Sequence, residues 1–542
     1  MLPSTMRNQI DAKLLCRYSM AHSESTAYDA HSFIAPRSAA AADIDNMTRI
    51  GGHMRTQSQS LLGTCIFLAL TATAFAGEAR PLSIGINFTG SSYGIDSFNI
   101  PPDTDGAVGH RHIVELINGH YAVYLKKDGT RVQSTSLDQF WRGAGVSPSG
   151  FLTDPRVLFD PFSRRWFAST FSVNFGNGPD DLLLTVSNGA DPTQGWTGFT
   201  VPFAGPVGNF VDFPTLGFDR DGVFLVTNGT VLVVPKSDLL AAPPTLAHAT
   251  LVQSRDLLTP TGGKIQPVVN LNNTGVPERL LGTWDVEGTL FRRWKIVGQI
   301  SAPVLDASDG FIPVTPYASM GNVGAPQPDS GVAISTLSDV LTSSVVLRNS
   351  VIWGVETVFN QSRHALRWFA IDANTNSKLQ EGLIADPVRD LYMGSIAANG
   401  CNDVVIGFNA SSSVQFASAY AVAGTTVKGV TTFGQPLLLK SGVARYEQTG
   451  GGLNARWGDY STTVVDPRHR LRFWTFQEWV SAESVWSTQI TELKFGKPGH
   501  EHDESEETDD GDNAGSADKP GSRNKSDEAE SSGCSEDTSK SI

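Results

Sequence analysis

Residues 157–168 read VLFDPFSRRWFA, an apolar run, a turn containing Asp and Pro, and a second run rich in aromatic residues. Runs of β-branched and aromatic residues separated by turn residues are typical of paired antiparallel strands. The same unit recurs at 216–226 and at 463–474. These copies predict that the chain is built from repeated β-hairpins.

One weaker copy of the hairpin precedes these three, and three more lie between the second and the third. One turn residue from each copy gives seven turns, at positions 110, 160, 219, 285, 349, 399 and 466, with a mean spacing of about 59 residues. A four-stranded propeller blade with its loops fits this spacing, whereas a β-sandwich would not produce seven similar hairpins. We therefore expect an all-β fold, a single seven-bladed β-propeller over residues 86–495, with Trp166, Trp353 and Trp474 packed between sheets. Because ring closure removes exposed strand edges, residues 486–495 are expected to pair with a strand from the opposite terminus.

Composition excludes several classes of protein. The 542 residues are 40% hydrophobic and include 28 Phe and 11 Trp, enough to bury a large core, which excludes global disorder. The net charge is −14. Scattered Lys and Arg in an acidic chain argue against nucleic-acid binding, which needs a concentrated basic face.

Both ends of the chain differ from the middle. Residues 54–76 combine a basic start, an apolar run too short to span a membrane and an Ala-Phe-Ala ending, which is the pattern of a secretory signal peptide. Residues 1–53 are expected to be a non-structural upstream extension. Residues 496–542 carry 14 Asp and Glu against 5 Lys and Arg and are expected to form a disordered acidic tail. The predicted product is secreted, extracellular or periplasmic, monomeric and not inserted in a membrane.

Four stretches resemble landmarks of large secreted bacterial β-propeller proteins. They are PPDTDGAVGHRHIVELING (101–119), DFPTLGFDRDGVFLVTN (212–228), LYMGSIAANG (391–400) and RWGDYSTTVVDP (456–467). The resemblance covers most of the predicted mature chain. It implies a propeller fold and export, and it transfers no catalytic residue.

Aligning the hairpins on their turns places an acidic residue at the start of several first strands. Asp103, Asp212 and Asp459 stand seven residues before their turns and Asp154 stands six before its turn, with Tyr392 at the corresponding position of another copy. If the first strand is the innermost of each blade, these side chains open onto one mouth of the central channel. Such a site can bind a cation or sugar hydroxyls, or supply an acid/base pair. The alternative is that each Asp caps a loop by accepting backbone N–H bonds.

The densest polar and aromatic cluster is Arg456-Trp457-Gly458-Asp459-Tyr460. Arg456 and Asp459 can hold a hydroxyl-rich or carboxylate-bearing ligand, while Trp457 and Tyr460 can stack on a sugar face. An Arg–Asp pair that locks the last blade is the structural alternative. Asp103 and Asp105 offer hard oxygen ligands for Ca²⁺, although the full loop pattern of a helix-flanked calcium site is missing.

These observations lead to three functional hypotheses. The first is a secreted recognition propeller that binds an extracellular glycan or protein at the channel mouth. The second is a carbohydrate-active enzyme, either a glycoside hydrolase or a polysaccharide lyase, which needs two suitably spaced carboxylates. The third is a structural surface protein with a filled channel and no ligand site.

Overall fold

The computed structural model describes residues 80–496, apart from 176–177, 204, 207–210, 261–263, 286–287 and 318–322. The predicted upstream extension, signal peptide and acidic tail lie outside the described residues. Strands dominate the described part, with two short helices, α1 (Leu137–Gly143) and α2 (Lys236–Leu239). Among these residues, none of the helices has the length and apolar character needed to cross a bilayer.

Antiparallel sheets follow one another along the chain after β1 (Leu82–Ser92), which pairs with the end of the chain. The first two sheets are separate four-stranded units, called blade I and blade II. Blade I contains β2 (Asp105–Val108), β3 (His112–Ile117), β4 (His120–Leu125) and β5 (Arg131–Ser136); blade II contains β6 (Phe151–Asp160), β7 (Arg165–Val173), β8 (Asp181–Ser187) and β9 (Trp196–Pro202).

The middle of the chain forms two sheets that interlock. A first four-stranded group is β10 (Thr215–Phe218), β11 (Gly222–Thr227), β12 (Thr230–Pro235) and β13 (Thr250–Gln253). Blade III is β14 (Ile265–Pro267), β16 (Glu278–Thr283), β17 (Leu290–Gln299) and β18 (Ala302–Pro313), with β15 (Val269–Asn270) between its first two strands in sequence. A second four-stranded group is β19 (Val346–Arg348), β20 (Val351–Asn360), β21 (Arg363–Asp372) and β22 (Lys378–Ile384).

Two more blades complete the described part. Blade IV contains β23 (Asp390–Ala398), β24 (Val404–Ser412), β25 (Gln415–Val427), β26 (Val430–Phe433) and β27 (Leu437–Lys440). Blade V contains β28 (Thr462–Val465), β29 (Arg472–Ala482), β30 (Val485–Phe495) and β1. Successive inner strands lie side by side from β2 round to β28, and β28 lies beside β2 again. The arrangement is a closed β-propeller.

Ring closure joins the two ends of the described chain. β1 pairs antiparallel with β30, with Leu82 opposite Phe495 and Ser92 opposite Ser487. The expectation that residues 486–495 pair with a strand from the opposite end is confirmed. β30 therefore is not a free edge of blade V, because β1 covers it.

The expected count of seven separate blades is wrong. Five sheets are separate blades, and the two remaining four-stranded groups belong to one nine-stranded sheet. The connection is β15: Val269 pairs in parallel with both Phe218 of β10 and Val346 of β19. The chain leaves β14 of blade III and bends inward, so that the backbone of β15 fills the gap between the two neighbouring inner strands.

Six of the seven expected turns connect the first strand of a blade or four-stranded group to its second strand, and one does not. The expected turn at Asp285 lies between β16 and β17, the second and third strands of blade III. The turn after the inner strand of that blade falls at 271–277 instead. The pattern of a turn followed by an aromatic strand can occur after the first or after the second strand of a blade. The pattern alone therefore does not show which two strands a turn connects.

Aromatic side chains fill the space between neighbouring sheets, as expected. Trp166, Trp353 and Trp474 are all buried, and Trp166 shares its apolar cluster with Ala107 and Val114 of blade I. Cys401, the single cysteine among the described residues, is disulfide-bonded, so no disulfide joins two described residues. Apolar packing between neighbouring sheets stabilises the described ring without a disulfide between its own residues.

Candidate functional site at the channel mouth

All inner strands begin at the same end of the channel, which we call the mouth. The described residues of the segments that enter them lie on this face; the segments are 93–104, 137–150, 203–214 (without 204 and 207–210), 254–264 (without 261–263), 314–345 (without 318–322), 385–389 and 441–461. The turns between inner and second strands, such as that at Asp160, lie at the opposite end. The expected site residues therefore do gather at one end of the channel.

The alignment of the carboxylates is corrected by one residue. The backbone bonds from Gly109 N to the His112 carbonyl and from Asp219 N to the Gly222 carbonyl make Gly109, and not His110, the counterpart of Asp219. Asp103 and Asp154 are then equivalent to each other. Asp212, Tyr392 and Asp459 stand one position earlier, so the ring of side chains is staggered between two levels.

The corrected register is visible in the backbone. Asp103, Asp154, Phe213 and Met393 each stand six residues before the corresponding turn, and their φ angles are 50°, 52°, 50° and 52°. Left-handed backbone at a non-glycine residue is uncommon and marks a constrained position. The strained backbone recurs near the start of four inner strands, and it positions the Asp103 and Asp154 side chains in the same way.

Asp103 and Asp154 both bridge neighbouring sheets. Asp103 accepts hydrogen bonds from Asn118 Nδ2 at 2.7 Å and from Asp459 N of blade V at 2.9 Å. Asp154 accepts one from Phe213 N at 3.1 Å, and its own N–H donates to Asn118 Oδ1 at 2.9 Å. Both carboxylates are buried. For these two residues the structure supports the loop-capping role over an open binding site.

Two ion pairs lie closer to solvent at the mouth. Arg456 binds Asp459 through both terminal nitrogens, with 2.8 Å between Nη2 and Oδ2. Lys264 Nζ lies 2.6 Å from Asp212 Oδ2, and 47% of the Asp212 side chain is exposed. The pair of Arg456 and Asp459 is mostly covered, so the most accessible charged group among the predicted site residues is Asp212.

The carboxylates at the mouth perturb one another. Burial, followed by the charges of Asp459 and Asp212, raises the pKa of Asp154 to about 6. Burial and the charges of Asp459 and Asp154 raise the pKa of Asp103 well above its ordinary value. For Asp212 burial acts in the same direction, but the neighbouring Lys264 ammonium outweighs it and lowers the pKa. The buried carboxylates Asp103 and Asp154 therefore bind protons at higher pH than the exposed Asp212 does.

The channel is filled directly below the mouth. The Arg156 guanidinium lies 3.2 Å from the centre of the Tyr460 ring, and the Tyr460 hydroxyl donates to the Pro155 carbonyl at 2.8 Å. The segment entering β19 crosses the same space. Its Thr342 carbonyl accepts from Arg156 at 3.3 Å, and its Leu341 carbonyl accepts from Gln266 of β14 at 2.7 Å. A ligand can therefore reach the surface of the mouth but not the axis beneath it.

The aromatic members of the predicted site are not available to a ligand. Tyr392, Trp457 and Tyr460 are all buried. Trp457 donates from Nε1 to Asn409 at 3.1 Å and packs edge-on against Tyr446. The expectation that Trp457 and Tyr460 stack on a sugar is therefore not supported by their positions.

The expected calcium ligands are occupied by hydrogen bonds within the protein. Asp105 accepts from Gly106 N at 2.7 Å, from Val157 N at 3.4 Å and from the Thr462 hydroxyl. Across the described ranges, no group of three or more His, Cys, Asp or Glu has a metal-binding arrangement. The Ca²⁺ site formed by Asp103 and Asp105 remains a sequence prediction without geometric support.

Three residues of the mouth were not identified from the sequence. Asn118 joins Asp103 to Asp154, Lys264 neutralises Asp212, and Arg156 fills the channel. Asn118-Gly119 is visible as a hairpin turn signal, but its bridging role depends on contacts between blades. Arg156 sits two residues after Asp154 in the sequence, the one signal that places it on an inner strand.

Comparisons with known proteins give structural similarity alone. No family model matches the chain, and no curated protein matches it. The WD40 domain of SCAP from fission yeast is 10% identical with a TM-score of 0.36, covering 77% of this chain and 98% of that one. The Dos1 propeller is 8% identical with a TM-score of 0.34, covering 77% and 96%. A protein of unknown function from Dyadobacter fermentans is 9% identical with a TM-score of 0.26, covering 77% and 99%.

Proposed function

We propose that this chain is a secreted, non-catalytic recognition propeller that binds an extracellular protein at the channel mouth. The observation that carries the proposal is the pair Asp212–Lys264, which leaves a charged carboxylate exposed above a filled channel. Ligand binding on a propeller of this kind uses the surface of the mouth and its surrounding loops.

A protein ligand suits the mouth better than a glycan. Sugar binding commonly uses exposed aromatic faces, and Trp457 and Tyr460 are buried. Charged side chains with ion-pair partners, such as Asp212 and Arg456, instead suit exchange of ion pairs with a polar protein surface. Of the two ligands considered for a recognition propeller, a glycan is therefore less well supported than a protein.

The geometry gives the enzyme hypothesis no support. A glycoside hydrolase needs one carboxylate as acid and a second that reaches the sugar or a water. Both oxygens of Asp103 accept hydrogen bonds from protein groups, as do both oxygens of Asp154. Neither pairs with a second carboxylate across an open cleft.

Export and the resemblance to secreted bacterial propeller proteins rest on the sequence alone. The signal-peptide pattern ends at Ala76, outside the described residues. Sequencing the N-terminus of the protein recovered from culture medium or periplasm is the direct test. A mature chain beginning at Gly77 supports export, and a chain found only in the cytoplasm with Met1 or Met54 intact contradicts it.

Hydrogen exchange tests the recognition role. The mature protein is incubated with the total secreted protein of its source, and separately with a panel of glycans. We expect secreted protein to slow exchange in the loops 203–214 and 441–461, with no change in the opposite turns near Asp160 and Asp466. Protection by a glycan alone identifies the glycan form. Newly formed reducing ends or unsaturated products would show the enzyme hypothesis to be right.

The filled channel also favours the structural hypothesis. A surface protein without a ligand needs no open channel, and Arg156, Tyr460 and Thr342 fill the channel below the mouth. The two hypotheses differ at Asp212. Reversing its charge with Asp212→Lys weakens recognition of a protein ligand but leaves a purely structural protein unaffected in attachment and assembly.

A further inference from the structure

Among the described residues, the four most exposed large apolar side chains lie on the mouth face. Leu453, Ile95, Val414 and Phe98 are 86%, 79%, 77% and 74% exposed. All four belong to loops or hairpin tips of blades IV and V or to the loop that enters blade I. Single exposed apolar residues are ordinary, whereas several on one face mark an interaction surface. We call these four residues and Val443 the apolar rim.

Two parts of the rim lie on either side of the β29–β30 hairpin. On one side Phe98 packs against Tyr93 with 6.3 Å between ring centres, and Tyr93 packs against Trp486 of β30 at 6.1 Å. On the other side Val443 N donates to the Val480 carbonyl of β29 at 2.9 Å. Apolar groups therefore flank this hairpin on both sides.

The rim extends from blade V to blade IV. Gly442, next to Val443, donates from its N–H to Ser418 Oγ of β25 at 2.9 Å. Val414 stands at the tip of the β24–β25 hairpin, at the same end of the blade. The loop that carries Val443 is thus fixed to both blades and holds the rim in place.

The same loop connects the rim to the charged mouth. Gln448 Nε2 donates to the Ser484 carbonyl at the hairpin tip at 3.3 Å, and the Gln448 carbonyl accepts from Arg456 N at 2.8 Å. Arg456 is the partner of Asp459. An occupant of the rim is therefore adjacent to the carboxylates of the mouth.

Charge selects the occupant. The charged side chains in and directly below the mouth are six carboxylates, Asp103, Asp105, Asp154, Asp212, Asp459 and Glu478, and three cations, Arg156, Lys264 and Arg456. An approaching basic side chain gains from this excess, and the exposed Asp212 is within its reach. An acidic side chain meets repulsion at the same place.

The acidic C-terminal segment of this chain does not suit the rim. The described chain begins and ends at the opposite face, where Arg80 pairs with Asp403 and Gly496 N donates to the Pro81 carbonyl. The residues after Gly496 are strongly acidic and contain almost no apolar side chains. Both their composition and their charge are opposed to the surface in question.

Resting on the proposed function, we infer that the apolar rim and the mouth together bind a protein segment that combines apolar with basic side chains. The apolar side chains cover Leu453, Phe98 and Val414, and a Lys or Arg reaches Asp212. Recognition then has two parts, an apolar part that supplies burial and a charged part that supplies orientation.

Three fluorescent peptides of equal length test the inference by anisotropy. One combines Leu with Arg, one combines Leu with Glu, and one combines Ser with Arg. We expect the Leu/Arg peptide to bind at least about tenfold more tightly than the other two. Leu453→Asp and Phe98→Asp should each weaken its binding about tenfold. Val430→Asp is the matched control, because Val430 is 63% exposed at the start of β26, next to the β25–β26 turn at the opposite face.

Each of the other outcomes contradicts one part of the inference or the proposed function on which it rests. If Asp212→Lys weakens binding while both rim variants bind like the original protein, the proposed function stands and the rim is excluded. Equal binding of the Leu/Glu peptide excludes the basic partner, and binding unaffected by any variant excludes both proposals. Self-association in sedimentation equilibrium that Leu453→Asp abolishes would instead assign the rim to a second copy. Binding to phosphatidylcholine vesicles that Leu453→Asp abolishes would assign it to a lipid surface.

Discussion

Lys236 Nζ lies 2.7 Å from Asp160 Oδ2, and this buried ion pair connects the β6–β7 turn of blade II to the next four-stranded group. Lys126 and Asp466 repeat it at 3.0 Å between blade I and blade V. In both pairs the Asp belongs to the turn after an inner strand, and the Lys directly follows the third strand of the next sheet unit. The propeller thus uses the same electrostatic connection at two boundaries.

Breaking this connection should destabilise the protein strongly. In Lys236→Met the Asp160 carboxylate stays buried without its cation, and we expect a loss of about 3 to 5 kcal/mol in the free energy of unfolding. Equilibrium unfolding in urea measures it. Arg142→Ala, which removes a surface pair with Asp138, is the control and should leave the unfolding midpoint unchanged. Similar midpoints for the two variants would contradict a stabilising role for the buried pair.

A third boundary has the Asp without the Lys, and it should make stability depend on pH. Asp219 Oδ1 accepts two backbone N–H bonds at 2.7 Å, and its Oδ2 is buried without a partner. Burial raises the pKa of Asp219 to about 6 from its ordinary 3.8. The folded state therefore holds this proton more tightly than the unfolded state, and stability falls as the pH rises from about 4 to about 6.

Asp219→Asn should reduce this fall. The amide keeps the acceptor for the two backbone N–H groups and does not ionise, so the plot of unfolding free energy against pH becomes flatter between about pH 4 and pH 6. Asp105 and Asp154 also have raised pKa values, so part of the slope remains. Urea unfolding at several pH values measures the slope, and an unchanged slope would show that Asp219 does not titrate in this range.

The missing cation can be supplied at Ile300. Ile300 directly follows β17, the third strand of blade III, and its Cδ1 lies 2.7 Å from where a Cβ would stand on Gly222 in the Asp219 turn. It thus occupies the position of Lys126 and Lys236. We expect Ile300→Lys to raise stability at pH 7 by on the order of 1 kcal/mol and to give no gain at pH 4, where Asp219 is protonated.

Thermal melts at the two pH values test this substitution. Ile300→Met serves as the control, because it has a similar shape without a charge. A gain of equal size at both pH values would mean that the added lysine acts through something other than the Asp219 carboxylate.

The two ion pairs at the mouth, Arg456–Asp459 and Lys264–Asp212, should differ in how much they stabilise the fold. Asp459→Asn weakens a mostly covered bidentate pair with Arg456 and should cost on the order of 1 to 3 kcal/mol. Asp212→Asn weakens a half-exposed pair and should cost less than about 0.5 kcal/mol. Urea unfolding of both variants measures the difference. Equal costs would show that Asp459 is as dispensable to the fold as Asp212.

Ring closure predicts where the chain can be shortened. A chain trimmed to residues 77–497 keeps β1 and should melt cooperatively. A chain trimmed to 93–497 lacks β1, exposes the edge of β30 and should lose the cooperative transition or aggregate. Circular dichroism during heating distinguishes the two. A cooperative melt of the shorter chain at the same temperature would show that closure by β1 is dispensable.

Local patterns account for the part of the fold that was predicted from sequence. The turns at Asp160, Asp219 and Asp466 combine turn residues with flanking apolar strands, and both signals lie within a few residues of each other. The strand β15 has no such signal. Its two residues pair in parallel with strands that are distant in sequence, so the fusion of two groups into one sheet depends on tertiary packing.

The candidate site was predicted in location but not in detail. Acidic residues at the starts of inner strands are visible in the sequence, and the structure places them at one mouth. A shift of one residue at His110 was enough to misalign Asp103 with Asp212, because neighbouring strand positions point to opposite faces. Burial of Tyr460 is set by Arg156 from another blade, and a sequence of one chain does not show that contact.

The strand β15 also limits how this propeller can change by recombination. Where blades are separate sheets, one can be duplicated, deleted or exchanged by cutting the two loops that flank it. Removing blade III would also remove β15. The backbone groups of β10 and β19 that pair with β15 would then be unsatisfied in the two four-stranded groups on either side. The segment from β10 to β22 should therefore be inherited, or transplanted into another ring, only as one block.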